Sequence, residues 1–250
     1  MARLVFYLIC MITPFIVFAQ TNYIDHNGLK QGEWKLYFPY NNDSIISEQG
    51  RFINDLEDGL WVKYHDNGQV RELAQYQEGK LSGCRISITK KGKLNEQEFF
   101  LNGKYHGVQL YFHETSKKKL EVNYVDGIKE GYFISYYKNG KMQEHVYYMN
   151  NQKNGRATWY FDTEQVSMQY EYDKGMIIDT AYAYYKTGNI KTTYVYESNK
   201  LNGEKTTYYP SGLIKEKGSF KNDVKHGIWC SYDSIGYETN CITYRNGIIK

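Results

Sequence analysis

Six histidines and four cysteines are the residues of this 250-residue chain with chemistry suited to metal binding or nucleophilic work. Their spacing works against both. His65 and His113 fall at equivalent places of a repeating pattern, two repeats apart, which on an antiparallel sheet is roughly 19 Å. His106 and His226 are five repeats apart, roughly 48 Å. A zinc ion holds its nitrogen ligands at about 2 Å, so neither pair can share one. His26 and His145 belong to other registers, and all six histidines read as solvated turn or sheet surface. No Cys-x-x-Cys, His-Glu-x-x-His, Gly-x-Ser-x-Gly or phosphate-cradling glycine loop occurs. The expectation is a chain with no catalytic residue, no metal and no cofactor.

Beyond Cys10 the cysteines are Cys84, Cys230 and Cys241, an odd count that suits no disulfide framework. Cys230 and Cys241 flank the last turn signal. A two-residue loop would set them opposite one another and allow a bridge in an oxidising compartment. A three-residue loop offsets them by one and turns them to opposite faces. The apolar pattern favours the offset, because Tyr232 then shares a face with Ile242 and Tyr244. That weighs against a bridge but leaves it open.

One charge feature stands out. Lys90, Lys91 and Lys93 surround one turn signal, Lys117, Lys118 and Lys119 the equivalent turn of the next unit roughly 10 Å away, and Lys138 and Lys141 the one after. Stacked turns would gather these eight into a basic ridge able to attract anionic lipid, polysaccharide or an acidic protein surface. Lysine is also a common guard of sheet edges, and the ridge is more readily read as a solvated edge whose charges discourage aggregation. The formal net charge of +3 is too small to argue for nucleic acid.

The elements that position these residues are repeats. Glycines recur at a spacing of 24 residues at Gly59, Gly83, Gly107, Gly131, Gly155, Gly203 and Gly227, with Gly32 leading and Asp179 breaking the run. The residue 17 positions after each lead residue is Tyr76, Phe100, Tyr124, Tyr148, Tyr172, Tyr196, Phe220 and Tyr244. The residue five positions on is aromatic except at Ile88. Trp34, Trp61, Phe133 and Trp229 follow their lead glycines by two. Such a period marks units that cannot bury an apolar face alone and must stack.

Each unit carries two turn signals, such as Asp66-Asn67-Gly68 and Gly79, flanking short runs rich in Tyr, Phe, Val, Ile and Thr. These read as one β-hairpin per unit. The predicted fold is all-β, an elongated single-layer antiparallel meander of about nine hairpin repeats spanning residues 32–250. Some eighteen strands would extend on the order of 85 Å. A lone sheet lacks a second layer, and same-face tyrosine contacts of roughly 0.2–1 kcal/mol per pair are expected to stand in for a core.

The unit Gly59-Leu60-Trp61-Val62-Lys63-Tyr64, with Asn67-Gly68, Tyr76 and Gly79-Lys80 following, resembles the MORN repeat in the variant common in bacteria. The resemblance implies an all-β hairpin array that acts as an interaction, dimerisation or membrane-associated scaffold. It brings no catalytic residues, and some bacterial relatives carry an antitoxin label.

At the N-terminus, Met1-Ala2-Arg3 precedes an apolar run from Leu4 to Phe18 and the small residue Ala19. Residues 1–19 read as a secretory signal peptide, with an uncleaved anchor as the competing reading. Residues 20–31 form a lead-in. The expectation is an exported, non-catalytic scaffold in the periplasm, on the outer membrane surface or outside the cell, with a protein partner. Alternatives are anionic lipid or glycan binding through the lysine ridge, or blocking of an effector. The last strand, around Glu238 to Tyr244, is expected to keep an unpaired edge that invites self-association or partner docking.

Overall fold

The computed structural model describes residues 21–39 and 45–250. The segment read as an export signal therefore lies outside the described residues. Among those described there is no helix, and 22 strands form one open antiparallel sheet in which chain neighbours pair. Four strands have only two residues: Tyr23–Ile24, Lys104–Tyr105, Gln152–Lys153 and Ile248–Ile249. The middle two are the first parts of interrupted strands, each pairing with the same neighbour as the longer part that follows.

Three backbone devices repeat along the sheet. The first is the turn between units, a two-residue loop such as Glu78-Gly79 between the paired residues Gln77 and Lys80. Both loop residues have positive φ, 49° and 73°, which explains why Gly, Asn or Asp recurs in its second position. The N–H of that residue donates to a carbonyl of the preceding unit, Gly79 to Glu57 at 2.9 Å and Asn151 to Lys129 at 3.0 Å. Where the residue is Asn or Asp, its side chain also accepts from the backbone of the preceding unit, as Asp223 does from the Leu201 N–H at 2.8 Å.

The second device is the mid-unit turn. His65 N–H donates to the Gln69 carbonyl at 2.7 Å, and Gly68 N–H to the His65 carbonyl at 2.9 Å, closing a three-residue loop. A bulge follows at once: Tyr64 pairs with Val70 but Lys63 pairs with Glu72, so Arg71 is an extra residue. The same step recurs in the later hairpins.

The third device uses the lead glycine. Arg51 pairs with Asp58, yet Gln49 pairs with Val62, so Gly59, Leu60 and Trp61 together face Gly50. Gly59 adopts a φ of 74° there, a conformation glycine reaches without steric cost. Lead glycines therefore sit at bulges inside strands, and the turns are made by the other two glycine series. The bulge lays the Trp61 ring over Gly50, where an added Cβ would come within 2.3 Å of the ring. The indole N–H donates to the Arg51 carbonyl at 3.1 Å. Trp229 covers Gly218 in the same way and donates to the Ser219 carbonyl at 3.0 Å.

One face of the sheet, the ladder face, carries the residues two and 17 positions after each lead residue. The aromatic series five positions on points to the reverse face, as period-two alternation requires. Trp34, Phe52 and Trp61 form a buried cluster with Leu36 and Tyr76 packed against it. Full burial of an aromatic of this kind stabilises by about 2–3 kcal/mol. This single-layer core answers the absence of a second layer.

The two ends differ. At the N-terminal end Tyr23–Ile24 pairs with the strand Lys30–Tyr37, and the Asn22 amide binds both the N–H and the C=O of Lys35, at 2.8 and 3.0 Å. At the other end the chain turns at Asn246-Gly247, so Ile249 pairs with Tyr244 and Lys250 N–H reaches the Thr243 carbonyl at 2.9 Å. The expectation of an unpaired edge along Glu238 to Tyr244 is thus corrected for half of its length. A return strand covers its second half, and no strand lies outside Glu238–Ile242 among the described residues.

Candidate interaction surfaces

The eight aromatic residues of the ladder are all half-buried. Their ring partners come from other rows. Phe100 and Tyr124 lie 4.8 and 5.2 Å from Tyr105, and Tyr148 lies 5.8 Å from Phe133. Tyr170 lies 6.3 Å from Tyr172 and 6.0 Å from Tyr196. Trp229 lies 5.1 Å from Phe220 and 6.5 Å from Tyr244. A lysine two residues before the lead glycine also covers two of these pairs: Lys129 lies over Phe133 and Tyr148, and Lys225 over Trp229 and Tyr244. Such cation–π contacts stabilise by about 0.5–1 kcal/mol at exposed sites. Burial raises the phenol pKa at Tyr76, Tyr124, Tyr148, Tyr172 and Tyr196. It is the first cause at Tyr196, which neighbouring Tyr170 and Tyr194 help to push up to about 12.

The ladder is interrupted by charge. At the position of Trp61 the next unit has Arg85, whose Nε faces the buried carboxylate of Glu98 at 3.2 Å. Its Nη2 donates to Glu96 at 3.0 Å, and Glu72 lies 3.6 Å from Nε and binds Lys63 at 3.0 Å. Glu98 is 2% exposed, and its other oxygen accepts from Tyr105 and Tyr111 at 2.8 and 2.9 Å. Burial opposes the charge on Arg85, but Glu98, Glu72 and Glu96 together hold its pKa above the ordinary value. Burial, followed by hydrogen bonds to Tyr105 and Glu98, pushes the Tyr111 phenol far up. Gln109, fully buried beside them, replaces the tryptophan's hydrogen bond by donating to the Phe99 carbonyl at 3.0 Å. This cluster is missing from the sequence reading. The signal available was the replacement of Trp by Arg and Gln in one row while Ala74 gave way to Glu98 in its neighbour.

The eight lysines do fall along the mid-unit turn edge, and most are engaged there. Lys90 pairs with Asp66 at 2.8 Å, Lys118 with Glu121 at 2.8 Å and Lys141 with Glu164 at 3.3 Å. Lys93 donates to the Glu114 carbonyl at 2.5 Å and Lys117 to the Asn139 carbonyl at 2.6 Å, tying each turn to the next. Lys91, Lys119 and Lys138 have no partner among the described residues. The row seven residues after each lead residue alternates in sign through six units: Asp66, Lys90, Glu114, Lys138, Asp162 and Lys186.

Two histidines correct the expectation of solvated surface. His65 and His113 are half-buried, and their Nε2 atoms donate to the carbonyls of Ile88 and Tyr136 in the next unit, at 2.8 and 3.0 Å. Tyr137, Tyr185 and Tyr209 make the same link with their hydroxyls at later turns. His145 stacks on Tyr132 with ring centroids 4.8 Å apart.

The cysteine expectation is also corrected. Cys230 and Cys241 lie directly opposite, with Cα atoms 4.2 Å apart, and form a disulfide. The three-residue loop is present, with Asp233 N–H bonded to the Tyr237 carbonyl at 2.9 Å. The bulge at Thr239 then shifts the register by one, pairing Tyr232 with Glu238 but Ser231 with Asn240. The offset from the loop is thereby cancelled. Cys84 remains a free thiol.

Against known families, segments 57–78, 105–126, 129–150 and 201–222 match the MORN repeat variant. Each match begins two residues before a lead glycine and ends at the turn between units. These four segments are thus repeats of the MORN variant type, and they lie within one open antiparallel sheet of hairpins. Repeats of this kind are commonly modules for binding interactions and are generally non-catalytic. No curated protein matches the chain.

Proposed function

We propose that the chain is an exported, non-catalytic scaffold that binds a protein partner on its reverse face. The observation that carries this is an accessible row immediately after the lead glycines of four consecutive units, Leu60, Cys84, Val108 and Tyr132. Leu60 and Tyr132 are each 56% exposed. Beyond Tyr132 the row is polar at Arg156, Thr180 and Glu204, which separates this four-unit apolar stripe from the exposed Ile228 at the far end. Spaced about 10 Å apart, such side chains suit a partner lying along several units. Export is supported by the Cys230–Cys241 bridge, since disulfides persist in oxidising compartments. Inhibition of an effector protein is one form this binding would take.

The second reading, anionic lipid or glycan at the lysine edge, draws on Lys91, Lys119 and Lys138, which lack partners among the described residues. The turn-to-turn pairing of their neighbours weighs against it. The two readings separate in one experiment on the immobilised protein, with an envelope extract of the producing cells. Protein capture that survives high salt and is lost in Leu60→Asp/Tyr132→Asp is expected. Capture that vanishes with salt and ignores those substitutions would replace the face with the edge.

A further inference from the structure

The bulge at Thr239 has a second effect. By inserting one residue it turns Glu238 to the same side of the strand as Cys241, although the two are three apart and strict alternation would oppose them. One ligand atom from each of Cys230, Cys241 and Glu238 lies within 4.8 Å of the others. We propose that the reduced form of this hairpin is a binding site for a thiolate-preferring divalent metal such as zinc, with both sulfurs and the Glu238 carboxylate as ligands and the fourth position open to solvent. The disulfide is the closed state of that site.

The chemistry balances as ordinary thiol–disulfide exchange. A dithiol reductant gives two electrons and two protons to the Cys230–Cys241 bond and leaves as its own disulfide. Metal binding then displaces the two thiol protons. The geometry demands little. Zinc–sulfur bonds of about 2.3 Å at a tetrahedral angle set two sulfurs roughly 3.8 Å apart. Side-chain rotation can open the bonded sulfurs to that separation across strands whose Cα atoms stand 4.2 Å apart. Cys241 and Glu238 are exposed and Cys230 is half-buried, so both reductant and metal have access. Two thiolates and one carboxylate form a ligand set that zinc accepts and that harder oxygen-seeking cations disfavour. At the equivalent positions of other hairpins the opposed pairs are Val62 and Leu73, or Ile134 and His145, so the array does not require a thiol there.

The test uses the full chain with Cys10→Ser and Cys84→Ser, leaving only this pair of thiols, and cobalt(II) as the spectroscopic probe. The reduced protein should develop a thiolate-to-cobalt charge-transfer band that saturates at one equivalent and is bleached by equimolar zinc. The oxidised protein should show none. Glu238→Gln, an exposed substitution that spares the fold, should weaken cobalt affinity by at least about tenfold, the lower end of what loss of even an outer-shell partner brings. Trp229 fluorescence, beside the bridge, reports whether the reduced hairpin stays folded. A folded, reduced protein with no more band than its Cys230→Ser variant would overturn the site. Equal affinity in Glu238→Gln and its parent would overturn the three-ligand form.

Discussion

At Trp61 and Trp229 an indole lies across a glycine of the neighbouring strand, whereas at Arg85 the same backbone position carries a guanidinium set among three carboxylates. The bulge is placed one residue differently in the two cases: Gly50 and Gly218 are skipped beneath the indoles, whereas Ala74 pairs directly with Arg85 and Gln75 is the skipped residue. The turns are kept while the position of the bulge moves by one residue with the filling of the ladder face. Aromatic filling stabilises through buried area. The ionic filling must satisfy Glu98, a nearly buried carboxylate, or lose heavily.

The sharpest way to break this contrast is Arg85→Leu, which strands Glu98 without its cation. Removing one partner of a buried pair costs 3–5 kcal/mol, and the 28% exposure of the Arg85 side chain places the expected loss near the lower bound, about 3 kcal/mol in a urea titration. The double variant Arg85→Leu/Glu98→Leu should return close to the parent. If it stays as unstable as the single variant, the ions are not the reason for the loss.

Gly218→Ala attacks the other filling. A Cβ would stand 2.2 Å from the Trp229 ring, and overpacking of this kind costs about 1–3 kcal/mol. The position below Arg85 is already Ala74, which is buried, so Ala74→Gly should cost about 1–2 kcal/mol through backbone entropy and the lost methyl, with no clash to relieve or create. No loss in Gly218→Ala would mean that the indole does not need the glycine.

Alkaline pH should weaken the tyrosine-rich stretches of the ladder. Burial raises the phenol pKa at Tyr148, Tyr170 and Tyr172 and pushes Tyr196 up to about 12. A neutral phenol is thus favoured in the folded state. The contribution is complete below the unfolded value near pH 10 and is lost as pH rises through the folded values. The urea midpoint should fall between about pH 10 and pH 12. A midpoint unchanged across that window would show that these phenols ionise without leaving the face.

The smallest effect is expected at the turn edge. Replacing Lys90, Lys91, Lys93, Lys117, Lys118 and Lys119 by glutamine should cost no more than about 1 kcal/mol per pair removed, because exposed ion pairs contribute little. Thermal unfolding checks this. A large drop would mean that the turn-to-turn bonds of Lys93 and Lys117 hold the edge together.

The hairpins were legible because Gly, Asn and Asp mark positive φ, and the ladder because one aromatic register never lapses. Part of what remained hidden follows from extra residues within strands. Period-two reasoning places Cys230 and Cys241 on opposite faces, and one inserted residue, Thr239, reverses that answer. The lead glycines could be counted but not recognised as bulges, since a glycine at a turn and one at a bulge satisfy the same φ. His65 and His113 looked solvated because their carbonyl partners lie in the next unit. Glu98 was unreadable for a related reason: its ligands Arg85, Tyr105 and Tyr111 come from three separate strand segments.

The alternating charges along the turn edge impose a parity. A hairpin exchanged between two molecules, or a sheet docked one unit out of step, would bring Asp66 against Glu114 or Lys90 against Lys138, like charge on like. A slip of two units restores opposite neighbours throughout. Repeats invite out-of-step pairing, and across these six units the row sets a small like-charge repulsion against odd steps and none against even ones.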